Sequence, residues 1–305
     1  MGFLMSISSF QIRKAFTKGD RERDRGLKTP EEIQRFDNLS YGVHGKWNLL
    51  DVYRRKDSGR QKLPVIISIH GGGWVYGTKE VYQFYCMSLA KQGFVVINFN
   101  YRLAPEHRFP AQIADLNMVI EFVRSNSERY GFDTGNVFMV GDSAGGHLNA
   151  LYSCMCTNPE YARKYEERFQ IKVPEGFRPR AVALNCGIYD LKAAIDESSG
   201  LCSTKTMVEN LLGKRRVKEE HLFITPVLHM TQSFPPTFLM TSNGDFLRNQ
   251  VPFIEAKLKN LNIPYLFKMY GDESRELPHV FHCNMHDESA AVCNQDECDF
   301  FHEFL

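Results

Sequence analysis

The feature of this sequence that most constrains its fold is a series of short apolar runs separated by helical patterns. The runs begin with "PVIISIH" and "FVVINFN" and continue with "VFMVGD", "AVALNCG", "PTFLMTS" and "YLFKMYG". Such runs are typical of strands covered on both faces, whereas the earlier run "WNLLDVY" alternates and has antiparallel character. Helices are predicted at 81–91, 113–130, 144–156, 251–261 and 289–303. This alternation predicts an α/β protein with a doubly wound, mostly parallel sheet, whose ligands lie at the carboxyl ends of the strands.

Two segments do not follow the alternation. Residues 1–45 contain a helical pattern that includes Phe3, then the charge run "KGDRERDRGLK", which we interpret as a solvated face or mobile loop. The next stretch, "TPEEIQRF", is interpreted as a helix capped by Thr29. Residues 190–232 form a long excursion between two strands, and loops of that length usually cover a site. We therefore expect an N-terminal cap segment at 1–45 and a catalytic domain at 46–305 with a cap insertion at about 190–232.

Composition narrows the class of protein. The 305-residue chain has a net charge of +1 and a pI of about 7.6, which argues against a nucleic-acid partner. Its eight cysteines form no C-x-x-C pair and predict reduced, buried thiols of a cytoplasmic protein. The N-terminus lacks the basic and apolar regions of a signal peptide, and no run of apolar residues is long enough to predict a membrane span.

The stretch "VFMVGDSAGGHLNALYSC" changes from a strand pattern to a helical pattern at Ser143. A nucleophile elbow needs a strand before its serine and a helix after it, so that the hydroxyl stands clear of the sheet edge. Side chains at Gly141 and Gly145 would crowd that sharp turn, which gives both glycines a steric reason. The stretch predicts a nucleophilic Ser143, and a glycine-rich turn without chemistry is the alternative.

An oxyanion hole is predicted after the first buried strand, where three consecutive glycines at residues 71–73 precede Trp74. Glycines let the backbone approach a substrate and direct N–H groups toward a developing negative charge. In esterases, such a loop forms one arm of the oxyanion hole and the N–H after the nucleophile forms the other. The expected donors are Gly72, Gly73 and Ala144, and His70 is expected to brace the loop.

A serine nucleophile needs a base, and the base needs a carboxylate to orient it. After a serine in such a turn, the expected order along the chain is the serine, then the carboxylate, then the histidine. Asp245 follows the strand "PTFLMTS", and His279 lies in the loop after the last strand. The alternatives are His282 for the base and Asp190 or Asp272 for the acid.

The histidines near the C-terminus could also be interpreted as metal ligands, but the sequence supports this less well than a catalytic base. His282, Cys283 and His286 match no compact zinc-ligand spacing, so neither a metal nor an organic cofactor is expected.

Taken together, "HGGGW", "YRLAPEHRFP", "GDSAGGHL", "NGDFLR" and the late His279 resemble the hormone-sensitive-lipase-like α/β-hydrolases, in the GDSAG branch of bacterial carboxylesterases. The resemblance covers most of the chain from about residue 45. It implies the α/β-hydrolase fold with a helical cap, and a structural rather than chemical role for residues 101–110. It also implies a triad of Ser143, Asp245 and His279, with oxyanion donors Gly72, Gly73 and Ala144. Val280 departs from the family, which often has glycine after the catalytic histidine.

The function implied is that of a serine carboxylesterase acting on a small-molecule ester with a short acyl group. Acetyl esters of sugars, aryl esters and lipid fragments all stay open as substrates. The alternatives are a hydrolase-fold binding protein without turnover, and an amidase or peptidase with the same triad. The oligomeric state is left open, with a homodimer among the options.

Overall fold

The computed structural model describes residues 7–197 and 203–305. Phe3, Cys202 and a short part of the 190–232 excursion lie outside the described residues. The strands are β1 (Ile33–Ser40), β2 (Leu49–Arg55), β3 (Leu63–Ile69), β4 (Val95–Phe99), β5 (Phe132–Asp142), β6 (Val182–Asn185), β7 (Thr237–Ser242) and β8 (Tyr265–Tyr270). The helices are α1 (Ile7–Arg23), α2 (Lys79–Lys91), α3 (Ala111–Ser125), α4 (Ser127–Tyr130), α5 (Ala144–Thr157), α6 (Pro159–Phe169), α7 (Leu191–Asp196), α8 (Thr204–Leu212), α9 (Val217–Glu220), α10 (Val251–Asn260) and α11 (Glu288–His302).

The strands form one sheet in the order β1-β2-β4-β3-β5-β6-β7-β8. β2 pairs antiparallel with both β1 and β4, and every other neighbouring pair is parallel. The predicted doubly wound, mostly parallel sheet is confirmed, as is the antiparallel character of the run that forms β2. The carboxyl ends of β3, β5, β6, β7 and β8 therefore lie at the same edge of the sheet.

Helices cover both faces of the sheet. Ile67 belongs to a core shared with α3, α5 and α10, while its neighbour Ile66 belongs to a core shared with α2 and α11. Successive strand residues point to opposite faces, so an uninterrupted apolar run is what a sheet covered on both sides requires. No helix among the described residues is long and apolar enough to cross a membrane.

The interpretation of "TPEEIQRF" as a helix is wrong. Ile33–Ser40 is the edge strand β1, which pairs with β2 through partners such as Ile33 and Arg55. Ile33 is 3% exposed, so one face of the strand is anchored in the core. Pairing with β2, the next strand along the chain, outweighs the local helix-start signals at Thr29 and Pro30.

The charge run at 18–28 is only partly the solvated face that the sequence predicts, since most but not all of its residues are exposed. Its first part continues α1 to Arg23 as regular helix. The Asp20 and Arg23 side chains are only 22% and 16% exposed, because they face the body of the protein. The run is therefore not a uniformly solvated face.

Candidate active site

Ser143 occupies a strained turn between β5 and α5. Its φ of 51° and ψ of −117° lie outside the regions that side chains usually adopt. The Ser143 N–H donates to the Asn185 carbonyl at 2.9 Å, and its carbonyl accepts from the His147 N–H at 3.1 Å. Strain of this kind persists only where surrounding bonds enforce it, and it is common at active sites.

The glycines that flank Ser143 have the steric role expected of them. A Cβ at Gly145 would overlap the Ile69 carbonyl oxygen of β3, and one at Gly141 would lie 2.5 Å from the Gly145 carbonyl oxygen. The first turn of α5 therefore packs directly on β3 and β5. This close approach holds the serine at the sheet edge.

Asp245 and His279 form a directly bonded pair. His279 Nδ1 lies 2.6 Å from Asp245 Oδ1, between the loops that follow β7 and β8. Asp245 Oδ2 accepts from Thr241 Oγ1 at 2.6 Å, and Oδ1 accepts from the Leu247 N–H at 2.9 Å. Burial alone would raise the pKa of Asp245. The hydrogen bond and charge of His279, with the bonds from Thr241 and Leu247, outweigh burial and hold this pKa below its ordinary value.

The alternative acids have other roles. The Asp190 carboxylate accepts from the Ala193 N–H at 3.0 Å and caps α7. Asp272 lies in an exposed turn, where it accepts from the Ser274 N–H at 2.8 Å. Neither carboxylate contacts a histidine among the described residues.

The alternative base is buried away from the acid. His282 has no solvent exposure and packs edge-on against Tyr85, with the ring centroids 5.0 Å apart. Burial lowers the pKa of His282 to about 3. His279 instead lies beside the exposed ring of Phe246, with the ring centroids 4.4 Å apart.

A cavity of about 360 Å³ brings Ser143, His279, Gly72 and Gly73 to one place. Ala144 lies behind the serine in the first turn of α5 and is fully buried. Among the described residues, the N–H groups of Gly72, Gly73 and Ala144 reach no protein acceptor. They therefore stay available to a bound oxygen.

The glycine loop is held from below by His70, as the sequence predicts. The His70 ring stacks on Tyr101 at 4.0 Å, and its Nδ1 lies 2.8 Å from the Gly71 carbonyl oxygen. Burial lowers the pKa of His70 to about 4, so the ring is neutral and Nδ1 is the donor in this bond. Tyr101 also donates to the His70 carbonyl at 2.9 Å. Tyr101 begins the motif "YRLAPEHRFP". The next residue of this motif, Arg102, forms an ion pair with Asp115 at 2.8 Å, which supports a structural role for the motif.

Several cavity residues have no counterpart in the sequence analysis. Asp142 accepts from Tyr82 at 2.7 Å, and Tyr82 accepts from the Gly71 N–H at 2.9 Å. Burial raises the pKa of Asp142 to about 6, although the Tyr82 bond opposes this. Asp20 and Arg23 of α1 also line the cavity. Their only sequence signal is the charge run, which does not tell which of its side chains turn inward.

The backbone conformation of the residue after His279 shows why glycine is common at this position in the family. Val280 adopts a left-handed backbone, with φ of 55° and ψ of 30°. Glycine adopts this conformation without strain, whereas a β-branched side chain opposes it. The same backbone is therefore reached here at a conformational cost.

Potential metal ligands cluster at the acid–base pair rather than at the late histidines. Within residues 7–197 and 203–305, one group of three is found, formed by Cys186, Asp245 and His279. His282, Cys283 and His286 form no such group among those residues. The seven described cysteines are all free thiols.

Comparison with known proteins places this site in context. A protein-family model described as BD-FAE matches residues 50–258. The chain is 32% identical over 202 residues to esterase LipC of Mycobacterium tuberculosis, covering 65% of this chain and 48% of that protein. It is 30% identical over 232 residues to the probable carboxylic ester hydrolase LipM of the same organism, covering 72% and 49%. The chain thus spans about half the length of these curated relatives.

The crystal structure of esterase B from Lactobacillus rhamnosis has the same overall arrangement. Its TM-score is 0.84 at 25% identity, over 97% of this chain and 95% of that one. The fold implied by the sequence resemblance is confirmed by this similarity.

Proposed function

Because the chain belongs to the BD-FAE family of α/β-hydrolases, we propose that it is a serine carboxylesterase with Ser143, His279 and Asp245 as its triad. The observation that carries the proposal is the 2.6 Å bond between His279 Nδ1 and Asp245 Oδ1, on a histidine that shares a cavity with Ser143. A base oriented by a carboxylate beside a strained serine is the arrangement that acyl transfer requires.

The first half of the reaction forms an acyl-enzyme. Ser143 Oγ attacks the ester carbonyl carbon while His279 Nε2 takes the hydroxyl proton, and Asp245 stabilises the resulting imidazolium. When the tetrahedral intermediate collapses, the bond to the leaving oxygen breaks and His279 returns the proton to the departing alcohol. Water then attacks the acyl-enzyme with His279 as base, releasing the carboxylic acid and free Ser143.

The negative charge of each tetrahedral intermediate needs donors that are already in place. The N–H groups of Gly72, Gly73 and Ala144 lie on the two sides of the serine, on the loop after β3 and at the start of α5. Preorganised donors of this kind supply much of the stabilisation in acyl transfer because they need no rearrangement as charge develops.

The size of the cavity favours short acyl groups. Its volume of about 360 Å³ lies near the lower end of small-molecule sites, which span roughly 300–1,000 Å³. Apolar side chains that suit a short chain line one part of it: Ile188, Met207, Phe246, Leu247 and Val280. Acetyl esters of sugars are one candidate class.

The cap assignment is part of the proposal. Ala15 and Phe16 of α1 and Thr204 and Met207 of α8 line the cavity from above the strand ends. These helices come from the predicted cap segments at 1–45 and about 190–232, and the rest of 46–305 forms the catalytic domain. The buried free thiols support a reducing, cytoplasmic location.

Hydrolysis of p-nitrophenyl butyrate by Ser143→Ala, with Ser153→Ala as the matched control, tests the proposal. Ser153 lies buried on the same helix, away from the cavity. Ser143→Ala is expected to lower kcat/KM at least about 10³-fold, while Ser153→Ala keeps it. Full activity in Ser143→Ala would refute the triad, and faster cleavage of the matching p-nitroanilide would favour the amidase alternative.

A further inference from the structure

The cavity around Ser143 has two chemically different walls. The apolar wall comes from the loops after β6, β7 and β8 and from α8. A second part of the lining, the polar wall, is formed by Asp20 and Arg23 of α1 together with Tyr76, Tyr82 and Asp142. The alkyl parts of a simple ester have no group that can hydrogen-bond with this polar wall.

The polar wall is held rigidly. Tyr76 donates its hydroxyl to Asp20 Oδ2 at 2.6 Å, and Arg23 Nη1 donates to Asp20 Oδ1 at 2.9 Å. Arg23 also donates through Nε and Nη2 to Asp24, at 2.7 and 2.9 Å, and through Nη2 to the Val81 carbonyl at 2.7 Å. These bonds fix both side chains before any substrate binds.

The wall nevertheless keeps unused hydrogen-bonding capacity. A guanidinium has five N–H donors. Bonds to described residues use four of those of Arg23, so one donor on Nη1 has no partner within residues 7–197 and 203–305. Asp20 accepts two bonds and retains further lone pairs on both oxygens. Among the described residues, an N–H donor without a partner therefore lies beside a carboxylate with spare lone pairs, on two side chains that line the cavity of Ser143.

The charges in this wall decide what kind of group it takes. Arg23 pairs with two carboxylates, Asp20 and Asp24, and Asp142 adds a third acidic group in the same cavity. The wall has no excess positive charge, so a carboxylate or phosphate on the substrate would be repelled. A hydroxyl is neutral and both donates and accepts, and so matches the pair.

We propose that Asp20 and Arg23 are specificity-determining residues that bind a free hydroxyl group of the ester substrate. Esters that carry a free hydroxyl group, on either the alcohol or the acyl side, are then preferred over esters of the same carbon count without one. This inference rests on the proposed esterase function, because it assigns the second recognition element of the same cavity.

The test compares substrates that differ only in hydroxyl groups. Glycerol 1-monobutyrate is paired with n-propyl butyrate, and methyl 3-hydroxybutyrate with methyl butyrate, so that the two pairs separate an alcohol-side from an acyl-side hydroxyl. In the wild-type protein, kcat/KM is expected to be about tenfold higher for the hydroxylated member of one pair, mainly through KM. Asp20→Asn is expected to bring that ratio close to one by raising KM for the hydroxylated ester.

Glu22→Gln is the matched control, because Glu22 is an exposed carboxylate on the same helix, paired with Arg25. It is expected to keep the wild-type ratio. If Asp20→Asn does not fold, Arg23→Lys is used instead. It replaces the planar guanidinium by an ammonium, and the same ratio of kcat/KM values is measured. Equal kcat/KM within both pairs for the wild type, or an unchanged ratio in the variant, overturns this inference alone. If none of the four esters is hydrolysed, the esterase function itself is refuted.

Discussion

The buried carboxylate of Glu297 accepts a hydrogen bond at 3.0 Å from Nδ2 of Asn185, the residue that is bonded to the Ser143 turn. The backbone carbonyl of Asn185 holds the Ser143 N–H, so a carboxylate on α11 supports the residue that fixes the elbow. Tyr85 donates to both Glu297 oxygens, at 3.0 and 3.1 Å. Burial raises the pKa of Glu297 to about 7, although these donors oppose the rise.

Stability is therefore expected to fall as pH rises through this titration. Between about pH 4.5 and pH 7 the folded protein retains a proton that the unfolded chain has lost, so folding weakens with increasing pH. Glu297→Gln removes this dependence. Between pH 5 and pH 8 the free energy of unfolding in urea should fall by up to about 3 kcal/mol more in the wild type than in the variant.

Glu288→Gln serves as the control for that measurement, because Glu288 is an exposed carboxylate on the same helix. Its pH profile should run parallel to that of the wild type. A Glu297→Gln profile that also runs parallel would show that Glu297 does not titrate in this range.

Thr241 should modulate the pKa of Asp245, the acid of the proposed triad. Thr241→Val removes the hydroxyl that bonds Asp245 Oδ2 without changing the side-chain shape much. Because that bond lowers the pKa of Asp245, its loss raises this pKa, and the acidic limb of the kcat/KM profile should move to higher pH. We expect about a tenfold fall in kcat/KM for p-nitrophenyl butyrate. Thr241→Ser, which keeps the donor, should stay close to wild type; equal profiles for Val and Ser would rule out this role.

Alanine at Gly73 should impair the oxyanion loop through one identifiable contact. The new Cβ would overlap Met207 Sδ of α8, and the φ of 60° adds backbone strain. We expect kcat/KM to fall at least about tenfold, since small displacements of catalytic groups are costly. Met207→Ala in the same chain should recover part of the loss. No recovery in the double variant would show that strain alone is responsible.

Gly145→Ala should behave differently, because the atom it meets is the Ile69 carbonyl oxygen of a central strand. Backbone in the sheet does not move aside as a methionine side chain does. We expect a lower melting temperature, measured by circular dichroism, that Met207→Ala does not restore. A melting temperature equal to that of the wild type would contradict the close packing of α5 on β3.

Substitutions of His279 and of His282 should have different effects on activity and stability. His279→Asn removes the proposed base and is expected to lower kcat at least about 10³-fold with little change in melting temperature. His282→Asn alters a fully buried ring and should lower the melting temperature while keeping turnover. A folded His282→Asn protein without activity would reassign the base.

The sequence alone determined the sheet, the sharp turn at Ser143 and the chain order of Asp245 and His279, the proposed acid and base. These depend on local signals, because a strand run, a sharp glycine turn and the helix after it are encoded within a few residues of one another. The need for glycine at positions 141 and 145 was predictable because the sharp turn that requires it is encoded in the same short stretch. The competing acids and histidines could be ranked but not separated, since only their positions in space show that His279, not His282, reaches Asp245.

What the tertiary structure decided depends on contacts between residues far apart in the chain. Residues 33–40 form a strand because β2 offers a partner, which the local helix-start signals could not report. Asp20 and Arg23 face the cavity because α1 lies across it, and a run of charges does not tell which side of a helix will be covered. The pKa values of Asp142 and Glu297 likewise follow from burial, which arises only when separate elements pack together.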